Sequence, residues 1–119
     1  MRDIIINYIR AGYPGLYLVS HEEIRAEAEV KAAAQATNHS LAAWSATTGL
    51  VDTGDGRILA GEDPMEAVTS LASLPDDTVA VFRDLHLFLQ DPNPVLVRAL
   101  KDALVHAKAK GKCLVLVGC

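Results

Sequence analysis

Ser20-His21-Glu22-Glu23 sets a hydroxyl, an imidazole and two carboxylates in a row, directly after the apolar run Leu16-Tyr17-Leu18-Val19. In a parallel α/β fold, the turn after the first strand is where phosphates dock. The pattern that does so is G-x-x-x-x-G-K-[ST], with backbone N–H groups and a lysine on the anion. Here the same place has neither glycine nor lysine, and its two carboxylates repel an anion. Asp84 follows a second apolar run, Val79-Ala80-Val81-Phe82, with Arg83 interrupting between them. An acid at the end of such a strand can hold magnesium. With no lysine or Ser/Thr partner from a phosphate loop, Asp84 is a weak metal site, and a local strand-end role fits it better. Ser20, His21, Glu22, Glu23 and Asp84 are therefore expected to be positions of a degenerate site. No catalytic, nucleotide-binding or metal-ligating residue is assigned.

Other chemistries find less support. His21, His39, His86 and His106 have no metal-site spacing on one helix, and no cysteine joins them. Ser20, His21 and Asp84 form a nominal hydrolase set, but no nucleophile-elbow glycine pattern surrounds Ser20. Cys113 lies in an apolar run and reads as a core thiol, with Cys119 a terminal one. So few cysteines fit a reducing compartment, and a cytoplasmic location is expected.

These residues must be positioned by the surrounding elements. Residues 3–11 read as a short helix that Gly12 stops. Leu16–Val19 reads as a buried strand. Ser20 with Glu23 is a capping box for a helix reaching Ala36. Ser40–Ala46 is a second strand, and the Gly-, Asp- and Thr-rich stretch from Thr48 to Gly61 is an irregular, hairpin-like excursion. Asp63, Pro64 and Glu66 open a third helix with Ala67, Val68, Leu71 and Leu74 as its buried stripe. Thr78–Phe82 is a third strand. A loop over Asp91-Pro92-Asn93-Pro94 leads into the clearest helix, capped by Asn93, lined by Leu96, Leu100 and Leu104, and stopped by Gly111. Cys113–Val117 is a fourth buried strand.

Continuous apolar strands alternating with amphipathic helices imply an α/β fold: a parallel sheet of four strands with helices on both faces. The 119 residues show no repeat and no linker, so one domain over 1–119 is expected. Half the residues are hydrophobic, 22% are charged and the net charge is −4. That balance argues against a nucleic-acid partner. No apolar run approaches the ~20 residues of a membrane span. The chain ends on its most apolar strand, which leads us to expect an N-terminal fragment of a longer polypeptide.

Two motifs are familiar. The first is Ile9-Arg10-Ala11-Gly12-Tyr13-Pro14-Gly15 running through Leu16–Ser20 to Glu22-Glu23-Ile24-Arg25. The second is Trp44-Ser45 with Thr48-Gly49-Leu50. With Leu114-Val115-Leu116-Val117-Gly118 they resemble the N-terminal region of a group of AAA-type ATPases that includes a conserved plastid and cyanobacterial reading frame.

The resemblance implies a degenerate ATPase-like domain ahead of a complete AAA module. That module would bind ATP and Mg, and this chain would hold no cofactor. The chain alone would not be an enzyme, although the full-length protein would be an ATPase. Its role would be assembly or regulation, with the ATPase module of the same polypeptide as partner. The resemblance also implies a RecA/AAA-like strand order of 2-3-4-1. That order leaves strand one at an open edge, where a homodimer could form. A weak ATP- or ADP-binding domain acting at an interface and an unrelated receiver-like module are the alternatives.

Overall fold

The computed structural model describes residues 1–90 and 93–119. The Asp91-Pro92 part of the expected loop lies outside the described residues. The elements are α1 (Arg2–Arg10), β1 (Gly15–Val19), α2 (Glu23–Ala36), β2 (Ser40–Ser45), β3 (Gly49–Asp52), β4 (Ile58–Ala60), α3 (Pro64–Ser70), β5 (Thr78–Arg83), α4 (His86–Leu89), α5 (Pro94–Lys110) and β6 (Cys113–Gly118). A short 3-10 turn, Leu71–Ser73, extends α3.

The fold is α/β, but the expected four-stranded parallel sheet in the order 2-3-4-1 is corrected. The sheet has six strands in the order β1-β6-β5-β2-β3-β4. Pairings of β1 with β6, β6 with β5 and β5 with β2 are parallel. Those of β2 with β3 and β3 with β4 are antiparallel, so the sheet is mixed.

The excursion from Thr48 to Gly61 supplies the two extra strands. Its turn-forming residues sit between the strands. Gly54 donates to the Asp52 carboxylate at 2.8 Å, and Arg57 to the Asp55 carboxylate at 2.9 Å. Strands this short show too little alternation to stand out from such turns. Gly49 has φ +73°, and a Cβ there would lie 2.5 Å from the Ala60 carbonyl oxygen. Glycine is needed at that close approach.

Alternation along the central strands divides the core. Val79, Val81, Cys113, Val115 and Val117 face α1 and α2. Ala80, Phe82 and Leu114 face α3 and α5 together with Trp44 of β2 and Leu50 of β3. Both faces of β5 and β6 are thus covered, as continuous apolar strands require. Ile5 and Ile9 anchor α1 in the first layer. Leu96 and Ala107 anchor α5 in the second. Burial of Cys113 pushes its thiol pKa up to about 12, so it stays protonated as a core side chain.

Local expectations hold in some places and fail in others. Asn93 accepts from the Leu96 N–H at 3.1 Å, and Gly111 ends α5 in the left-handed region at φ +69°. Asp63 accepts from the Met65 N–H at 3.1 Å. Glu66 does not complete a box with Asp63. Its carboxylate instead accepts from the Gly61 N–H at 3.0 Å, tying α3 to the end of β4. The capping box of Ser20 and Glu23 does not form, because α2 begins only at Glu23. Ser20 Oγ accepts from the Glu22 N–H at 3.0 Å, a turn that precedes the helix. β1 is not a buried strand: at the sheet edge, Tyr17 is 50% and Val19 70% exposed. The helical turn α4 follows β5 without a sequence signal, since His86-Leu87-Phe88-Leu89 is a single turn with no side-chain cap.

Among the described residues, Lys112 is the one charged side chain in the buried set. Its ammonium donates to the Leu71 carbonyl at 2.9 Å and to His106 Nε2 at 2.9 Å. These bonds join the 3-10 turn, α5 and the start of β6. Nε2 accepts here, which assigns the His106 proton to Nδ1.

Three outcomes are expected. Trp44 is fully buried and its indole N–H donates to the Gly61 carbonyl at 3.2 Å. Trp44→Ala should cost about 3–5 kcal/mol in denaturant unfolding. Val105→Ala, at an exposed site, should stay within about 0.5 kcal/mol. Burial lowers the Lys112 pKa, against a smaller raising effect of Asp76. The unfolded chain therefore binds more protons than the folded one between that lowered value and the ordinary lysine value, and stability rises with pH through that window. Wild type should gain stability relative to Lys112→Met as pH climbs toward the ordinary lysine range. A difference flat with pH would contradict this.

Candidate functional site

Ligands of open α/β sheets gather beyond the C-terminal ends of the parallel strands. At that end, β5 finishes with Arg83 and Asp84, β2 with Ser45, and β1 leads into Ser20 and the start of α2. A cleft of about 440 Å³ opens there, lined by Glu23, Ser45, Thr47, Asp84, Leu87 and Phe88 together with Arg83.

Arg83 organises this end. Its Nε lies 2.9 and 2.8 Å from the two carboxylate oxygens of Glu27, and a terminal nitrogen lies 2.8 Å from Oε1. Glu23, one turn earlier on α2, approaches Arg83 Nε at 3.4 Å. The hydrogen bond that Arg83 donates to Glu27 is the main cause that raises the Arg83 pKa, and burial opposes it. One guanidinium thus clamps α2 to the end of β5. In the sequence, Arg83 reads only as a break in an apolar run. The available signal was an i,i+4 pair of glutamates, Glu23 and Glu27, on a helix crossing the sheet from a strand that ends in arginine.

The five expected positions divide. Glu23 and Asp84 line the cleft. Asp84 has φ +57°, and its N–H donates to the Val117 carbonyl at 2.9 Å, so it serves as the strand-end turn that joins β5 to β6. Ser20 donates its N–H to Gly118 at 2.9 Å, and its hydroxyl is taken up by Glu22. Glu22 pairs with Arg25 at 3.2 Å, in solvent. His21 is exposed. No hydrogen bond among the described residues links Ser20, His21 and Asp84 as a nucleophile relay would need. Among the described residues, no group of three or more His, Cys, Asp or Glu side chains could hold a metal ion.

The failed capping box changes one argument. The first N–H groups of α2 are not engaged by a side-chain cap. An anion is opposed instead by charge, from Glu23, Glu27 and Asp84 at a guanidinium already paired. His86 adds a second feature at this end. Its ring packs at a tilt against Tyr17, with centroids 5.7 Å apart, and covers the Gly118 backbone, and its buried Nδ1 has no partner among the described residues. A side chain at position 118 would strike the ring.

Among the described residues, no helix is long and apolar enough to cross a membrane. An uncharacterized AAA domain-containing protein, ycf46, of Guillardia theta is 26% identical over 112 residues, which cover 92% of this chain. The chain spans only 22% of that relative's length. No solved structure matches the chain significantly. The family model of the SpoVK-like AAA ATPase N-terminal domain matches residues 1–118, and the chain belongs to that family of AAA ATPase N-terminal domains.

Proposed function

We propose that this chain is a non-catalytic N-terminal domain that assembles or regulates an AAA-type ATPase. In this reading ATP and Mg bind in an AAA module elsewhere in the same polypeptide, and that module is the domain's principal partner.

The observation that carries the reading is the ion-pair cluster of Arg83 with Glu27 and Glu23. A triphosphate needs free N–H groups and unpaired cations at the end of the parallel strands. Here Arg83 at that end is already neutralised by two carboxylates, with Asp84 adding further negative charge in the same cleft. The same contacts fix α2 against β5, so the position that could hold a ligand instead ties two elements of the fold together.

Calorimetry of the chain with ATP and magnesium should show no saturable binding tighter than roughly 100 μM, which is about −5.5 kcal/mol. Tighter binding would overturn the non-catalytic reading and favour a domain that takes nucleotide at an interface.

A further inference from the structure

The central strands β2, β5 and β6 are each entered through a residue in the left-handed region. Asn38, Asp77 and Gly111 have φ of +57°, +59° and +69°, and they stand just before Ser40, Thr78 and Cys113. The three turns are joined. Ser40 donates its N–H to the Asp77 carbonyl at 3.0 Å, and Asp77 donates to the Lys110 carbonyl at 3.2 Å. The Asp77 carboxylate lies so close over Gly111 that a Cβ there would strike it.

His39 sits among these turns, half-buried in the wall of a cavity of about 410 Å³. Its ring Nδ1 lies 2.9 Å from the Thr37 carbonyl and 2.9 Å from Thr37 Oγ1. Its Nε2 lies 3.0 Å from the Gly111 carbonyl. A carbonyl oxygen only accepts. The Thr37 hydroxyl has no proton for the ring either, because it donates to the Ala33 and Ala34 carbonyls at 2.8 and 3.2 Å. Among the described residues, both ring nitrogens therefore face acceptors alone. A neutral imidazole carries one N–H, and these contacts use two.

The surroundings favour the charged ring. Thr37 is the C-cap of α2 and Gly111 the C-cap of α5, so the ring lies between two negative helix ends. Asp77, ahead of β5, adds a carboxylate to the same cavity. Arg10, at the end of α1, opposes from an exposed position, and Tyr13 follows it. Lys112, ahead of β6, turns its ammonium away toward Leu71 and His106.

We propose that His39 carries protons on both ring nitrogens and is a proton-dependent latch between the end of α2 and the turn from α5 into β6. The proposal is independent of the domain's role toward an ATPase. Nδ1 has two acceptors on a residue two positions away, whereas Nε2 has one, across 72 positions of chain. Loss of a proton therefore falls on Nε2 and sets its lone pair against the Gly111 carbonyl. The local contact to Thr37 persists, and the long-range clasp on Gly111 opens. Hydrogen bonds that only the charged ring makes hold its proton more firmly in the folded chain than in the unfolded one. The folded chain then binds more protons through the histidine range. The stability that the latch contributes is present on the acid side of that range and is lost as pH rises.

Ring-nitrogen NMR of the ¹⁵N-labelled chain tests the latch without any substitution. At about pH 7, where a histidine in water has lost most of its protons, both His39 nitrogens should be protonated. As pH is raised further, Nε2 should lose its proton, and the Gly111 and Lys112 amide resonances should move with the same midpoint. His39→Gln removes the titrating ring and leaves the other three histidines common to both chains. In denaturant unfolding, the advantage of wild type over His39→Gln should shrink by about threefold or more in the folding constant between about pH 6 and pH 9. A His39 ring with a single N–H at about pH 7 would overturn the proposal. So would Gly111 and Lys112 amides that ignore the ring's titration, or a wild-type advantage that stays flat with pH.

Discussion

Everything in this molecule hangs on the burial of β5 and β6 from both sides. Strands that read Thr-Val-Ala-Val-Phe and Cys-Leu-Val-Leu-Val have no face to give to water. Two layers of helix are needed to cover them, and parallel strands need crossovers that supply such layers. The valines and Cys113 bind the sheet to α1 and α2, and Ala80, Phe82 and Leu114 bind it to α3 and α5. With the centre closed, polar chemistry is confined to the rims, and the C-terminal rim of the parallel strands is where it collects.

At that rim one constraint dominates. Arg83 sits at the end of a buried strand, about one-third exposed. A guanidinium so placed must find carboxylate partners, or its desolvation destabilises the fold. Glu27 and Glu23 meet that need, and in doing so they set the position of α2 over the sheet. This is the physical link between fold and function. The helix whose N-terminus could receive phosphate is held in place by the negative charges that repel phosphate. The chain that carries this rim belongs to a family of AAA ATPase N-terminal domains.

Much of this was legible in the sequence, for identifiable reasons. Long elements with strong periodicity, such as α5 with its Asn93 cap and Gly111 stop, announce themselves. The apolar runs of β5 and β6 do the same. β3 and β4 did not, because strands of four and three residues are hidden among the Asx turns that join them. The Ser20 box failed because a hydroxyl before a helix can serve a preceding turn as readily as a cap. β1 reads as buried in the sequence because an apolar run does not say whether it lies at the centre or the edge of a sheet. Glu23 and Asp84 stand out in the sequence by residue type and line the rim cleft. Arg83 does not stand out, since an ion pair between positions 56 apart leaves no local pattern.

The Arg83 and Glu27 pair fixes α2 against the end of β5, and a double-mutant cycle in equilibrium unfolding is the sharpest test of that. Arg83→Met, Glu27→Gln and the double variant isolate the coupling of the two side chains. The account predicts a favourable coupling of about 1 kcal/mol or more, as suits a partly buried, multiply bonded pair. A coupling within about 0.3 kcal/mol of zero, with both single variants folded, would contradict it.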